Sequence, residues 1–232
     1  MRQFLFLLLF YSIFLSPQSV AAQASQEAPV YLWFDQVVGN SNTGIYNAVE
    51  YVERHRTINE HHKFFLFEGF LPGTVVYEDQ PYFDLEVKYN VFDGLLQVRV
   101  PNRGNEALFQ LLTEKVERFT IAGHEFVNIS EKGGFHEILL DNKNMTLLVR
   151  YNKSLKKIQD KEFVYYEFLN EDKDYLLDFK GQYYVITSRR DIIDLFPDKK
   201  KRIRDFYRDE KSLRKSDYNS FLQKMFQYLS QE

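Results

Sequence analysis

No cysteine occurs in the 232 residues. Disulfides therefore cannot hold the fold in any compartment, and thiol nucleophiles and thiolate metal ligands are excluded. The five histidines show no HExxH or HxH spacing, so no zinc motif is present. GxSxG and SxxK nucleophile motifs are missing as well, as are Gly-rich phosphate loops. The formal net charge of -3 gives no whole-chain attraction for nucleic acid. Asp and Glu number 33, but no pair stands out in the linear order for general acid–base work. Neither a cofactor nor a resident metal is expected, and enzymatic activity is the weaker reading.

What the chain does have is apolar and aromatic content, at 44% and 17%. That suffices for a sizeable core in one good-sized domain or two small ones. The N-terminus carries the most specific signal. Arg2 precedes the apolar run FLFLLLFYSIFL (4–15), then Ser16-Pro17 and the small residues of SVAAQA. This order is that of a secretory signal peptide, cleaved after Ala22 or Ala24. The run falls short of the roughly 20 apolar residues of a membrane-spanning helix, and no later segment approaches that length. The expectation is export across the inner membrane, with the mature chain soluble or peripherally bound and held by its core alone.

Beyond the leader, residues 46–56 lean towards a strand, and from Phe64 to Ile186 the hydrophobic period is mostly two. In DLEVKYNVFDGLLQVRV (84–100), Phe83 just ahead of it, Leu85, Val87, Tyr89 and Val91 share one face. Asp93-Gly94 predicts a two-residue type I′ turn. Such a turn pairs Val91 with Leu96, Tyr89 with Val98 and Val87 with Val100, and sets Lys88 opposite Arg99. Further short runs follow at 107–112, 116–121, 125–129, 136–140 and 145–151. A lysine-rich patch (152–161) then leads to FVYYEFL, YLLDF and YYVIT, with NEDKD and KGQ as hairpin loops. About ten short strands at regular spacing predict an antiparallel meander forming a sandwich or barrel-like sheet.

The period then changes to 3.6. Ser188 and Asp191 form an N-cap pair for a helix through Phe196, and Pro197 can open the next. Tyr218, Phe221, Leu222, Met225, Phe226 and Leu229 make one apolar stripe on a last helix. The predicted class is α+β, mostly β, with C-terminal helices packed on the sheet. The division is a leader over 1–22, a β-domain over 23–187 and a helical segment over 188–232.

Two longer stretches carry a resemblance. GTVVYEDQPYFDLEVKYNVFDGLLQV followed by KVERFTIAGHEFVNI, and later DFKGQYYVITSRRDIIDLFPDKKK, resembles a family of uncharacterised secreted proteins of Bacteroidota. The shared pattern is VVYxxxPYF, a KYxxFxxxLxV hairpin and a GHxF turn (Gly123, His124, Phe126), from about Tyr46 to Lys201. The chain departs from it before Gln80-Pro81, where Glu78-Asp79 replaces a Gly turn. The resemblance implies a periplasmic or envelope location and supplies no catalytic residues.

Candidate binding residues follow from residue type and position. His61 and His62 stand side by side in NEHHKFF; adjacent strand residues face opposite ways, so the two cannot grip one ion without a loop. His124 sits just beyond a tight turn as a capping or hydrogen-bonding residue. Tyr82 falls on the polar face of the alternation, with Tyr77 a further candidate, as aromatic platforms for a glycan. Residues 198–215 hold nine basic against four acidic residues, starting with Lys199, Lys200, Lys201 and Arg202. A solvated helix face explains that run; attraction to anionic headgroups or an acidic partner is its functional reading, with Ile203, Phe206 and Tyr207 as the apolar side. The reading favoured is a non-enzymatic envelope domain that binds a protein partner or assists a membrane assembly. The alternatives are a small-ligand or glycan binder using the curved sheet, and a hydrolase whose site is assembled from distant residues.

Overall fold

The computed structural model describes residues 49–50, 57, 61–102, 105–159 and 163–231. The leader, the segment 23–48 and most of 51–60, including His55, lie outside the described residues. Eleven strands are described: β1 (Val49–Glu50), β2 (Leu71–Tyr77), β3 (Gln80–Asn90), β4 (Leu95–Asn102), β5 (Asn105–Gln110), β6 (Val116–Ile121), β7 (His124–Ile129), β8 (Gly134–Asn142), β9 (Met145–Gln159), β10 (Val164–Phe179) and β11 (Gln182–Val185). They form one antiparallel sheet in the order β1-β5-β4-β3-β2-β6-β7-β8-β9-β10-β11, and the sheet does not close. Four helices follow: α1 (Arg189–Leu195), α2 (Lys200–Asp209), α3 (Lys211–Ser216) and α4 (Tyr218–Ser230). The α+β class with helices packed on a large antiparallel sheet is what the periodicity predicts.

The β5–β6 link shows that this sheet must curl. In a flat sheet these strands would stand four spacings, about 19 Å, apart. They also run in the same direction, so the link would have to travel back a full strand length. Six residues from Gln110 to Val116 reach about 20 Å fully extended, and three of them form a 3-10 turn, Thr113–Lys115. The curl brings the ends together. Thr113 Oγ1 donates to the Gly94 carbonyl at 3.3 Å, and Glu78 N–H donates to Lys115 O at 2.9 Å. Asn128 Nδ2 holds the Thr113 and Val116 carbonyls at 2.7 and 2.9 Å.

A bulge in β3 makes part of that bend. Leu85 pairs with Gly73 and Tyr82 with Val75, so Phe83 and Asp84 stand opposite the single residue Thr74. Asp84 takes φ +53°, as bulge residues do. The extra residue reverses the alternation. Tyr82, expected on the polar face, turns into the core at 4% exposure, and Tyr77 is fully buried. Within β3, the residues that pair with β4 are Glu86–Asn90, beyond the bulge. On the neighbouring strand Gly73 lies so close to β6 that a Cβ would stand 2.1 Å from the Thr120 carbonyl oxygen.

Two further expectations are corrected. The β3–β4 hairpin pairs Val87 with Val98, Tyr89 with Leu96 and Asn90 with Leu95, so its loop has four residues. Asn90 is the reason: its Oδ1 accepts from Phe92 N and Asp93 N at 3.1 Å each, and its Nδ2 donates to Asp93 at 2.6 Å. This side-chain cap closes a wider turn, and only Gly94 takes a positive φ. A shift by two preserves every face. It also sets Glu86, rather than Lys88, opposite Arg99, with an ion pair at 3.1 Å. The second correction concerns NEDKD, which is not a hairpin loop. β10 runs through it with a register irregularity between Leu169 and Asp172, and its first half pairs with the lysine-rich residues of β9.

The concave side of the sheet is filled. Phe119 and Phe126 stack at 4.7 Å, with Tyr89 edge-on to both and Phe135 edge-on to Phe119 and Tyr89. Val87, Leu96 and Val98 complete the layer with no solvent exposure. Rings packed at these distances add to the area they bury. The helices join the same core. Phe221, Leu222, Met225, Phe226 and Leu229 form the buried stripe of α4, while Phe206 and Tyr207 of α2 pack on Phe221. The Ser188–Asp191 capping box opens α1 as its spacing predicts, and the 3-10 turn Pro197–Lys199 leads into α2.

Candidate functional site

A strap, residues 61–70, crosses one end of the curled sheet. Phe65 N–H donates to Tyr89 O at 2.8 Å and Val91 N–H to Lys63 O at 3.1 Å, tying the strap to β3. From the other side, Lys153 Nζ donates to the carbonyls of His62 and Phe64 at 2.6 and 2.9 Å, and Phe168 N–H donates to His61 O at 2.9 Å. Phe65 is thereby driven into the core, 4.9 Å from the Tyr151 ring and 5.1 Å from that of Phe126. The next two residues do the opposite. Leu66 takes φ +53°, and Phe67 N–H donates back to Phe65 O, a γ-turn of the rare, strained hand. Leu66 and Phe67 stand out at 55% and 58% exposure. Lys88 lies 3.6 Å over the Phe64 ring and Arg99 lies 4.3 Å over that of Phe70, so cations flank the apolar tip.

Beneath Phe65 a row of polar side chains crosses four strands on the concave face. His124 Nδ1 meets Glu137 Oε1 at 2.6 Å; Tyr151 OH donates to Glu137 Oε2. Asn219 of α4 donates to Tyr151 OH at 2.9 Å and accepts from Tyr175 OH at 2.8 Å. The carboxylate oxygen accepts, so Nδ1 is the donor of this bond and Nε2 is the ring nitrogen turned away from Glu137. Glu137 is buried, whereas the His124 side chain keeps 38% exposure. Such a pair can orient a general base. It also does a structural job, since the row is what ties α4 to the sheet through hydrogen bonds.

The predicted site residues scatter around these features. His61 is exposed and His62 half-buried on the strap; Phe64 N–H donates to His62 Nδ1 at 3.2 Å. Burial, and then the charge of Lys153, hold the His62 imidazole below its ordinary range. Tyr77 and Tyr82 lie in the core, away from any solvated platform. Lys199 donates to the Leu229 carbonyl at 2.8 Å, near the end of α4, and Arg202 lies 4.3 Å over the Tyr228 ring. Lys200 and Lys201 are exposed. Ile203 and Tyr207 are buried, so the apolar side of the basic run is used inside the molecule. Among the described residues no group of three or more His, Asp or Glu side chains is placed to hold a metal ion. On the convex face an open groove of about 420 Å³ runs past Val127, Ile138, Leu148, Asp178 and Tyr183.

Two features escape the linear reading. Glu137 and Tyr151 come to His124 only through the pairing of β7, β8 and β9, although Glu137 alternates with Phe135 and so signals a carboxylate on an inward face. The tip had a local signal: within KFFLFEGF (63–70) the run Phe64–Phe67 is apolar without alternation and is followed by a breaker, Gly69.

No protein family, curated protein or solved structure matches this chain.

Proposed function

We propose that the chain is a secreted, envelope-facing binding domain without enzymatic activity, and that the Leu66–Phe67 turn is its contact with a protein partner. The observation that carries this reading is the reversal within three residues of the strap: Phe65 fills the core while Leu66 and Phe67 are held in water. Backbone strain at Leu66 is sustained by a strap anchored on both flanks, and strain kept in this way points to use. An apolar centre rimmed by Lys88, Arg99 and Glu68 has the composition of a recognition patch. The leader-like N-terminus and the likeness to secreted Bacteroidota proteins support the location. Among the described residues no helix is long and apolar enough to cross a membrane.

A photoreactive residue at the neighbouring exposed position 68, introduced in the producing organism, tests this. One discrete crosslinked species should form in the envelope fraction, and none from the same probe at exposed Gln223 on α4. Phe67→Ser should abolish recovery of that species while the domain stays folded. Equal recovery from Phe67→Ser would refute the reading.

The hydrolase reading keeps one specific observation, the His124–Glu137 pair. It requires substrate to reach His124, whose ring lies 5.2 Å edge-on from Phe65. If that reading holds, Glu137→Gln abolishes turnover of a hydrolysable substrate without unfolding the domain.

A further inference from the structure

The basic run of the helical segment is sorted by side. On α2 the residues Lys200, Lys201, Arg204 and Arg208 fall within an arc of about 100° along roughly 12 Å of helix. All four are exposed. The adjoining arc holds Ile203 and Tyr207, both buried, and half-buried Phe206, so the helix cannot roll its cations away from solvent. Arg208 is engaged by Asp205 and Asp209 at 2.9 Å each. Lys200, Lys201 and Arg204 have no acidic partner among the described residues. α3 adds exposed Lys211 and Lys215, and the guanidinium groups of Arg189 and Arg214 flank the Tyr207 ring at 5.6 and 5.3 Å. Residues 188–217 hold eleven basic and seven acidic side chains in a chain of net charge -3. The charge is therefore segregated, and the molecule has a positive side.

We infer that this face of α2 and α3 is a peripheral docking surface for an anionic lipid leaflet. The exposed groups of the α2 ridge favour lipid over an acidic protein. Protein interfaces have an apolar centre and are poor in lysine, and here the apolar arc is already spent on the core. A charged leaflet needs no such centre, because cations brought near its plane are attracted without a fitted contact. The inference stands independently of the Leu66–Phe67 turn, which is a different surface with different chemistry.

The test is co-sedimentation of the purified mature chain with vesicles of phosphatidylcholine alone, or mixed in equal parts with phosphatidylglycerol. Binding should occur only to the mixed vesicles at low salt and be released at high salt. Reversing Lys200→Glu, Lys201→Glu and Arg204→Glu together should weaken it by on the order of 100-fold or more. The neutral set Lys200→Gln, Lys201→Gln and Arg204→Gln should give an intermediate loss, and both sets should keep the wild-type melting curve. Leu66→Ser with Phe67→Ser should bind vesicles as the wild type does. No binding to the mixed vesicles, equal binding to phosphatidylcholine alone, or full binding by the reversed variant would each overturn the inference. Capture of an acidic protein through the same three lysine and arginine positions, without vesicle binding, would overturn it in favour of a protein ligand.

Discussion

Phe65 and Phe67 are the same residue type two positions apart, and they have opposite fates. Phe65 sits among Phe126, Tyr151 and Tyr89 at 2% exposure; Phe67 stands at 58%. Hydrophobicity cannot distinguish them, because it is identical. The backbone does: a residue pinned by the Tyr89 carbonyl enters the core, and the positive φ at Leu66 turns the chain back out. The curled sheet is thus a scaffold filled by its own aromatics, and one strained turn sets what the strap presents outward.

The comparison predicts a graded set of substitutions. Removing a ring from the centre of the scaffold should have the largest effect: Phe126→Ala should cost about 3–5 kcal/mol in urea unfolding. Next comes Gly73→Ala, about 2–4 kcal/mol, because its Cβ meets the β6 backbone and not a flexible side chain. A small cost there would show that β2 and β6 can part without disturbing the core. At the tip the sign should reverse. Leu66→Gly relieves a left-handed leucine and should stabilise by up to about 1 kcal/mol, the gain in backbone strain being offset by chain entropy. Any destabilisation by Leu66→Gly would mean that Leu66 packs as part of the scaffold.

A pH series probes a buried histidine on the other face of the sheet, where His136 pairs with Val127. His136 is 1% exposed and donates from Nδ1 to Gly134 O at 2.8 Å. Burial first, and Arg150 nearby, hold its pKa below the ordinary 6.5. The unfolded chain therefore binds a proton that the folded chain refuses as pH falls below 6.5. Stability should decline from that point towards the folded-state pKa. His62, lowered in the same way, adds to the slope. His136→Gln should reduce the loss between pH 6.5 and 5; an unchanged slope would remove His136 from the account.

How far the sequence reveals this molecule depends on whether a signal is local. The alternation of Met145 to Tyr151 in β9, the stripe of α4 and the Ser188–Asp191 cap are local, and they were legible. Turn chemistry was legible only in part, as two hairpins show. Asp93-Gly94 has the residues of a type I′ turn, yet the Asn90 side chain captures the loop and widens it. Glu78-Asp79 lacks a glycine, yet both residues take positive φ, +52° and +63°, in a two-residue turn. Lys115 Nζ to Glu78 at 2.5 Å and Asp79 N–H to Glu117 at 2.9 Å support it from β6 and the turn before it. Those partners lie 37 and 38 positions away, beyond the reach of a turn rule. The bulge at Phe83–Asp84 was hidden for the same reason, and with it the inward turn of Tyr82. Of the candidate site, His124 was legible beside its turn, whereas Glu137, Tyr151 and Asn219 reach it only through three strand pairings and a helix contact.

Unfolding free energies of Phe65→Ala and Phe67→Ala, measured side by side, test the division between scaffold and tip most directly. The account predicts a loss of about 3–5 kcal/mol for the first and a change within about 0.5 kcal/mol for the second. Comparable losses for both would show that the strap is buried along its whole length and presents nothing.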